Sequence, residues 1–336
     1  MSYHVYVSNA GSPFLSHFLM DEDTGRLAPQ PNIELGDAPG AAATSAAGTL
    51  LFVCLRAAKR FASFSLDRAS GRLAPISTAQ LAEGAPYVKT DNTERFLLAS
   101  YYGGGHVSVH RIHDDGSLSA EPLQWIQTAP HAHSIQTDRS NRFAFVPHTL
   151  PTNAIYQFRF DEQTGRLTPN DPPRVDHGSP EGPRHFAWHP TRDILYAVNE
   201  DNNTVSAFHF DPERGTLAPF QLIGTLPDGF QGKSATAEIK VTPDGRHLYA
   251  SNRGHESLAL FAVQGDGTLA TRGHYSTEPT PRFFELDPRG RFLLSAGQNT
   301  GRLVSYRIDS ATGALEPLQL HQVGASPLWI LFVRQA

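Results

Sequence analysis

The sequence contains very little cysteine and no long apolar run. Cys54 is the only cysteine among the 336 residues, so the chain can form neither an intrachain disulfide nor a thiolate zinc cage. This predicts a reducing compartment, the cytoplasm. Residues 38–55 are mostly small or apolar, but proline, glycine, serine and threonine interrupt them too often for a membrane span. The first residues alternate like a strand and lack the basic and apolar regions of a secretory signal.

Runs of like charge are also missing. The 28 lysines and arginines are scattered among 33 aspartates and glutamates, which gives a net charge of −5. A basic groove for nucleic acid has no support in this composition. What the chain does have is 28 glycines and 25 prolines, a frequency of turn formers that favours many short strands over long helices.

A short phrase recurs seven times along the chain. It consists of a polar turn, a glycine, one further residue and a leucine, and consecutive leucines are 46, 45, 49, 50, 52 and 46 residues apart. Seven copies account for the whole sequence, so we predict one domain over residues 1–336. The leucines are Leu27, Leu73, Leu118, Leu167, Leu217, Leu269 and Leu315.

Each copy contains the pattern of four short strands. An alternating run such as 205–210 precedes the glycine turn, and another run such as 195–198 lies upstream of it, introduced by a polar turn. No helical period of 3.6 residues is present. Four antiparallel strands repeated every 45 to 52 residues are typical of a propeller blade. We therefore predict an all-β fold, a seven-bladed β-propeller with four antiparallel strands per blade.

The two ends of the sequence complement each other. The first copy begins at a second strand, whereas residues 326–333 resemble an isolated first strand. Pairing the N- and C-terminal strands in one blade would close the ring and remove its last open edge. We predict this closure.

Two positions of each blade point into the central channel at the same mouth. They lie nine residues before and seven residues after the turn residue exemplified by Arg95. Turn positions usually repeat Gly, Asn, Asp or Ser, but here the copies differ and mostly carry large polar or ionisable groups, which indicates a binding site. These residues are Pro86, His133, Arg184, Ala237 and Arg282 before the turn, and Tyr102, Thr149, Glu200, Arg253 and Gln298 after it, with Arg56 in the matching place of the second copy.

Several alternatives remain open for these residues. Arg184 and Glu200 fall in one copy and could form a structural salt bridge. His131 and His133 share one strand face, but a third ligand of fixed spacing is missing, so we expect no metal site. The glycines after Tyr102 lack the lysine and helix of a phosphate loop, and no Gly-x-Ser-x-Gly elbow is present. Three further histidines are expected at the surface: His106, His110 and His113.

Six phrases, kept in order across the chain, resemble the seven-bladed lactonase family. This family contains the bacterial propeller-type 6-phosphogluconolactonases and the fungal 3-carboxy-cis,cis-muconate lactonising enzymes. The likeness extends through all seven copies. The phrases are Pro-His-Ala-His-Ser at 130–134, Gly-Pro-Arg-His at 182–185, Val-Asn-Glu at 198–200, Val-Thr-Pro-Asp-Gly-Arg-His-Leu-Tyr at 241–249, Asn-Arg at 252–253 and Gly-Gln at 297–298.

The resemblance implies a site at the channel mouth. In the lactonising branch a histidine, two arginines and a glutamate take part in the reaction, and by position these map onto His133, Arg184, Glu200 and Arg253 as catalytic residues. Whether His131 or His133 faces the cavity stays open. The expected substrate-binding residues are Arg282, Gln298, His131, His185, Glu238, Tyr102 and Arg56.

The expected activity is hydrolysis of an acidic lactone without metal or organic cofactor. The substrate implied is 6-phosphogluconolactone, with Glu200 or His133 as general base and arginines binding the oxyanion and the acidic group. Three alternatives remain: a carboxymuconate cycloisomerase, a hydrolase of another acidic sugar lactone, and a non-catalytic scaffold, against which the missing Trp-Asp signature argues. A six-bladed calcium-dependent lactonase is disfavoured by the seven copies. The oligomeric state is open, and a monomer is compatible with the pattern.

Overall fold

The computed structural model describes residues 2–336, and its strands form seven antiparallel sheets of four strands each. The predicted all-β propeller with seven blades is confirmed. No helix of the length and apolarity needed to cross a bilayer occurs in this part of the chain. The strands of blades one to four are β1 (Ser2–Asn9), β2 (Phe14–Asp21), β3 (Leu27–Glu34); β4 (Ala42–Thr44), β5 (Leu50–Leu55), β6 (Arg60–Leu66), β7 (Leu73–Gln80); β8 (Tyr87–Thr90), β9 (Phe96–Tyr101), β10 (His106–Arg111), β11 (Gln124–Gln127); β12 (Gln136–Thr137), β13 (Phe143–His148), β14 (Ala154–Asp161), β15 (Arg166–Asp176). Those of blades five to seven, followed by the terminal strand, are β16 (Pro183–Trp188), β17 (Ile194–Asn199), β18 (Thr204–Asp211), β19 (Thr216–Gly224); β20 (Ala235–Val241), β21 (His247–Arg253), β22 (Ser257–Val263), β23 (Leu269–Ser276); β24 (Pro281–Leu286), β25 (Phe292–Gly297), β26 (Arg302–Ile308), β27 (Leu315–Gln322); and β28 (Pro327–Arg334).

The first strands of the blades surround a central channel. Neighbouring blades contact each other through these strands, for example β16 with β20, β20 with β24, and β28 with β4. The hydrophobic core lies between the faces of adjacent blades. Between the third and fourth blades, for instance, Phe96 and Val109 pack with Val146 and Phe158. Both faces of each sheet are therefore buried, as the continuous apolar runs of the middle strands require.

The two ends of the chain close the ring in one blade. β28 pairs antiparallel with β1, from Tyr3 opposite Arg334 to Asn9 opposite Pro327. The side chains of Trp329, Ile330 and Val333 are buried. The predicted closure is confirmed, and the first blade has the strand order β28, β1, β2, β3.

The recurring glycine is required by its turn and by the neighbouring blade. All seven repeat glycines adopt φ between 69° and 91°, a region that other residues rarely enter. A Cβ atom placed on any of them would lie 2.0–2.7 Å from a side chain of the preceding blade. Each turn between a third and a fourth strand therefore packs directly against the sheet of the preceding blade. The glycines are Gly25, Gly71, Gly116, Gly165, Gly215, Gly267 and Gly313.

Replacing one of these glycines should loosen the contact between two blades. In Gly215→Ala the new Cβ would lie 2.0 Å from Cδ1 of Phe143, and the positive φ would be strained. We expect the free energy of unfolding to fall by about 2–4 kcal/mol, from backbone strain together with overpacking. Urea denaturation measures this change. Gly224→Ala is the matched control, because no atom lies within 4 Å of a Cβ there, and equal losses in both variants would contradict the packing argument.

Candidate functional site

Irregular pairing in the inner strands aims neighbouring residues into the channel. Side chains of a regular strand alternate between faces, but a bulge breaks this alternation. The pairing of β16 with β17 shifts register between Pro183 and His185, and both Arg184 and His185 line the channel cavity. The same irregularity in β24 lets Arg282 and Phe283 line it together.

A narrow cavity occupies the channel at the mouth where the first strands begin. Its empty space, counted together with the open solvent at the mouth, is about 350 Å³. Five of the expected catalytic and substrate-binding residues line it: Arg56, His133, Arg184, His185 and Arg282. Each comes from a different blade except for the adjacent pair on β16. The structure therefore brings together side chains that lie more than 200 residues apart in the chain.

Glu200 is held between two arginines beside this cavity. One carboxylate oxygen, Oε2, lies 3.0 Å from Nε of Arg184, and the other, Oε1, accepts a hydrogen bond of 2.7 Å from Nη2 of Arg253. Burial alone would raise the pKa of Glu200, but the charges of Arg184 and Arg253 outweigh it and lower this pKa. Glu200 is thus an ionised carboxylate that orients two guanidinium groups. Its lowered pKa also makes it a weak base.

The cavity carries an excess of positive charge. Burial and the charge of Arg282 lower the pKa of Arg184 to about 9, and burial and the charge of Arg253 lower the pKa of Arg282 to about 10, so both remain charged at neutral pH. Within residues 2–336, no hydrogen bond or salt bridge engages the guanidinium of Arg56 or of Arg282. Three arginines line the cavity and no carboxylate of the described chain does, so an anion entering the cavity would relieve the mutual repulsion of the arginines.

Two histidines and a glutamate form a second group in contact with Arg184, whose Nη1 lies 3.3 Å from Nε2 of His185 and 3.4 Å from its Nδ1. Nδ1 of His133 lies 3.2 Å from Nε2 of His185, whose Nδ1 lies 3.0 Å from Oε2 of Glu238. Burial and the charge of Arg184 hold the pKa of both histidines far below the usual value, so both rings are neutral. Burial raises the pKa of Glu238.

The other predicted residues lie around the rim. The ring of Tyr102 stacks on His131 with 4.2 Å between centroids and meets His133 edge-on at 5.5 Å. His131 is a turn residue with a φ of 66° and His133 precedes β12, so the expectation that both share one strand face is wrong. His133 therefore lines the cavity and His131 does not. Gln298 is likewise absent from the lining, and a role in substrate binding stays a prediction for it, for Tyr102 and for His131.

Sequence reasoning missed an apolar wall of the cavity. Phe283 and Trp329 stack with 4.2 Å between ring centroids, and both line the cavity. Trp329 belongs to the closing strand β28, whose turn cannot be aligned with those of the other copies. The bulge after Pro281 brings the buried ring of Phe283 to the cavity lining beside Arg282, and nothing in the sequence indicates it.

The surface position predicted for His110 is wrong. Its side chain is buried in β10, with Nδ1 3.3 Å from the carbonyl oxygen of Ser119 and the ring edge-on to Phe61 at 5.2 Å. The third strand of a blade is covered on both faces by its neighbours, so a position near the blade's outer side is still interior. Within the described residues, no group of three His, Cys, Asp or Glu side chains is placed to hold a metal ion.

Comparison with known families and sequences gives a consistent match. Residues 3–332 match the family described as "Lactonase, 7-bladed beta-propeller". The 6-phosphogluconolactonase of Erwinia tasmaniensis is 33% identical over 303 residues, which cover 89% of this chain and 90% of the relative. The 6-phosphogluconolactonase of Pectobacterium carotovorum is 36% identical over 281 residues, which cover 83% of each.

Solved structures agree with these relatives over the full length. The periplasmic gluconolactonase PpgL of Pseudomonas aeruginosa superposes with a TM-score of 0.92 at 28% identity and covers 100% of both chains. A putative 6-phosphogluconolactonase of Bacteroides fragilis superposes with a TM-score of 0.90 at 25% identity, covering 99% of this chain and 98% of that one.

Proposed function

This chain belongs to the seven-bladed β-propeller lactonase family, and on that premise we propose that it hydrolyses 6-phosphogluconolactone to 6-phosphogluconate without a metal ion. The relatives that carry the name 6-phosphogluconolactonase support this substrate, as does the charge of the cavity. The proposal includes a cytoplasmic location, because a charged sugar phosphate does not cross a bilayer unaided.

The observation that carries the proposal is the pair of unpaired guanidinium groups beside a neutral histidine. Arg56 and Arg282 line the cavity without a hydrogen bond or salt bridge to any described residue. Paired N–H donors of arginine suit the oxygens of a phosphate or carboxylate. His133 is neutral in the same cavity, which is the state that a general base needs.

The contacts of each side chain indicate its role in the proposed hydrolysis. Arg56 and Arg282 bind the phosphate, and Arg184 donates to the lactone carbonyl oxygen as negative charge develops there. His133 removes a proton from water, and the hydroxide attacks the carbonyl carbon. The bond from that carbon to the ring oxygen then breaks, and the ring oxygen receives the proton. Arg253 and Glu200 hold Arg184 in place.

A panel of three substrates tests the proposal. Purified protein is given 6-phosphogluconolactone, unphosphorylated gluconolactone and carboxymuconate, with and without a chelator, and the spontaneous rate is subtracted. We expect kcat/KM for the phosphorylated lactone to exceed that for gluconolactone at least tenfold, because a charged hydrogen bond contributes about 1.5–3 kcal/mol. The chelator should have no effect.

Arg282→Gln provides the matched control for the panel. It should raise KM for the phosphorylated lactone about tenfold or more and leave KM for gluconolactone unchanged. A preference for gluconolactone would contradict the phosphate assignment. Turnover of carboxymuconate alone would make the protein a cycloisomerase, and loss of activity with the chelator would refute the metal-free reaction.

A further inference from the structure

Charge poses a difficulty for His133 as a base. Arg184 and Arg282 line the same cavity, and their charges disfavour an imidazolium ring between them. A base that cannot hold the proton it removes would slow the attack of water. The proton therefore needs a final acceptor other than an imidazole ring beside the arginines.

The contacts of His133 lead through His185 to a candidate acceptor, Glu238. His185 lies between His133 and Glu238, with hydrogen-bond distances of 3.2 Å to the first and 3.0 Å to the second. All three side chains are buried. Glu238 comes from β20 and His133 from the blade before β16, so three successive blades contribute one residue each.

The state of Glu238 fixes the tautomers of both rings. With Glu238 ionised, its carboxylate only accepts, so Nδ1–H of His185 donates to Oε2 of Glu238 and Nε2 of His185 carries a lone pair. Nη1 of Arg184, 3.3 Å from this Nε2, also points a donor at it. Nδ1–H of His133 then donates to that lone pair. Nε2 of His133 is left with its own lone pair, available to a water molecule in the cavity that His133 lines.

We propose that Glu238 and His185 form a proton relay with His133, a role that rests on the proposed hydrolysis. When water loses a proton to Nε2 of His133, the Nδ1 proton of His133 moves to Nε2 of His185. The Nδ1 proton of His185 moves to Glu238, which becomes a carboxylic acid. Both rings end neutral, and no imidazolium forms beside the arginines. The same shifts in reverse return the proton to the ring oxygen of the opened lactone. Glu238 and His185 are thus positioning residues rather than substrate ligands.

The surroundings of Glu238 suit it as the final acceptor. Its Oε1 accepts a hydrogen bond of 3.0 Å from the backbone N–H of Ile239, and burial raises its pKa toward the range in which it can take up a proton. Nζ of Lys240 lies 3.9 Å from Oε1, a contact that opposes this rise. The charged and titratable groups around the three relay residues are Arg184, Arg253, Arg282, Lys240, Tyr87 and Tyr102.

Glu238→Gln tests the relay. The amide oxygen can still accept from His185, so the tautomers persist, but no group can take the proton. We expect kcat to fall at least about tenfold with KM unchanged, and the acid limb of the kcat/KM profile to move to lower pH, because His133 then titrates alone beside the arginines. His185→Phe should have a similar effect on kcat, and the double variant should be no slower than either single one.

Glu285→Gln is the matched control. Glu285 also accepts a hydrogen bond from the next backbone N–H with its Oε1 and contacts Lys240 at 2.8 Å, but no histidine bonds to it. Its loss should leave kcat and the pH profile near wild type. If Glu285→Gln and Glu238→Gln behave alike, or if the effects of Glu238→Gln and His185→Phe on kcat simply multiply, the relay is refuted.

A measurement without substrate separates the relay from the proposed function. Spectra of ¹⁵N-histidine-labelled wild-type protein at neutral pH should show His133 and His185 as neutral, Nδ1-protonated rings. In His185→Phe the signal of His133 should change tautomer or become mixed. Should the lactone panel fail while these tautomers are present, the proposed function alone is wrong. Nε2-protonated rings in the wild type would overturn the relay whatever the activity.

Discussion

Deletion of residues 325–336 is expected to leave the protein unable to fold into its ring. The deletion removes β28, and with it the pairing to β1 and the buried side chains of Trp329, Ile330 and Val333. Burial of these three side chains alone contributes roughly 5–9 kcal/mol, which is comparable to the whole stability of a typical domain. We expect insoluble or unfolded protein, measured as loss of the cooperative thermal transition.

The matched control removes residues 335–336 only. These follow β28 and contribute three hydrogen bonds within residues 2–336, two from Gln335 to the carbonyl oxygens of Ser2 and Ala69 and one from the N–H of Ala336 to that of Arg68. The control should melt close to the full chain. A long deletion that keeps the Tm of the wild type would show that the ring does not depend on its closing strand.

His133→Asn is expected to abolish most of the hydrolysis while leaving the fold intact. The side-chain amide of asparagine can occupy the place of Nδ1–H and donate to Nε2 of His185, so no buried partner loses its hydrogen bond. The base is lost, and kcat should fall by about 10²- to 10⁴-fold. Initial rates with 6-phosphogluconolactone, corrected for spontaneous opening, measure this fall.

His131→Asn is the companion variant. His131 lies two residues earlier and stacks on Tyr102 at the rim, and its φ of 66° is one that asparagine tolerates. We expect a change in KM with kcat preserved. If His133→Asn kept the kcat of the wild type, His133 would not be the general base. Glu200 would then be the next candidate, despite its two arginine partners.

The blade count and the ring closure could be predicted because each rests on a local requirement that repeats. The glycine of the recurring phrase is needed for a positive φ and for close packing. Glycines such as Gly25 and Gly215 therefore mark the positions of their turns in the sequence. Arg184 and His133 could be identified by counting nine residues back from each turn, because the length of strand between the turn and the channel mouth is nearly constant.

The roles inside the cavity could not be predicted in this way. Strict alternation would send Arg184 and His185 to opposite faces, and only the bulge after Pro183 brings both to the channel. The pairing of His185 with Glu238 joins residues of two blades, and spacing within one copy says nothing about it. Whether Glu200 acts as a base or as an anchor depends on the charges around it, which the fold alone assembles.

The composite first blade also has a consequence for synthesis. Twenty-seven strands precede β28 in the chain. The first blade, which is synthesised first, therefore lacks its fourth strand until all the other blades have been synthesised. Throughout that interval the nascent chain exposes the free side of β1, where a strand of another polypeptide could pair. The native ring is therefore reached only once the sequence through β28 has been translated.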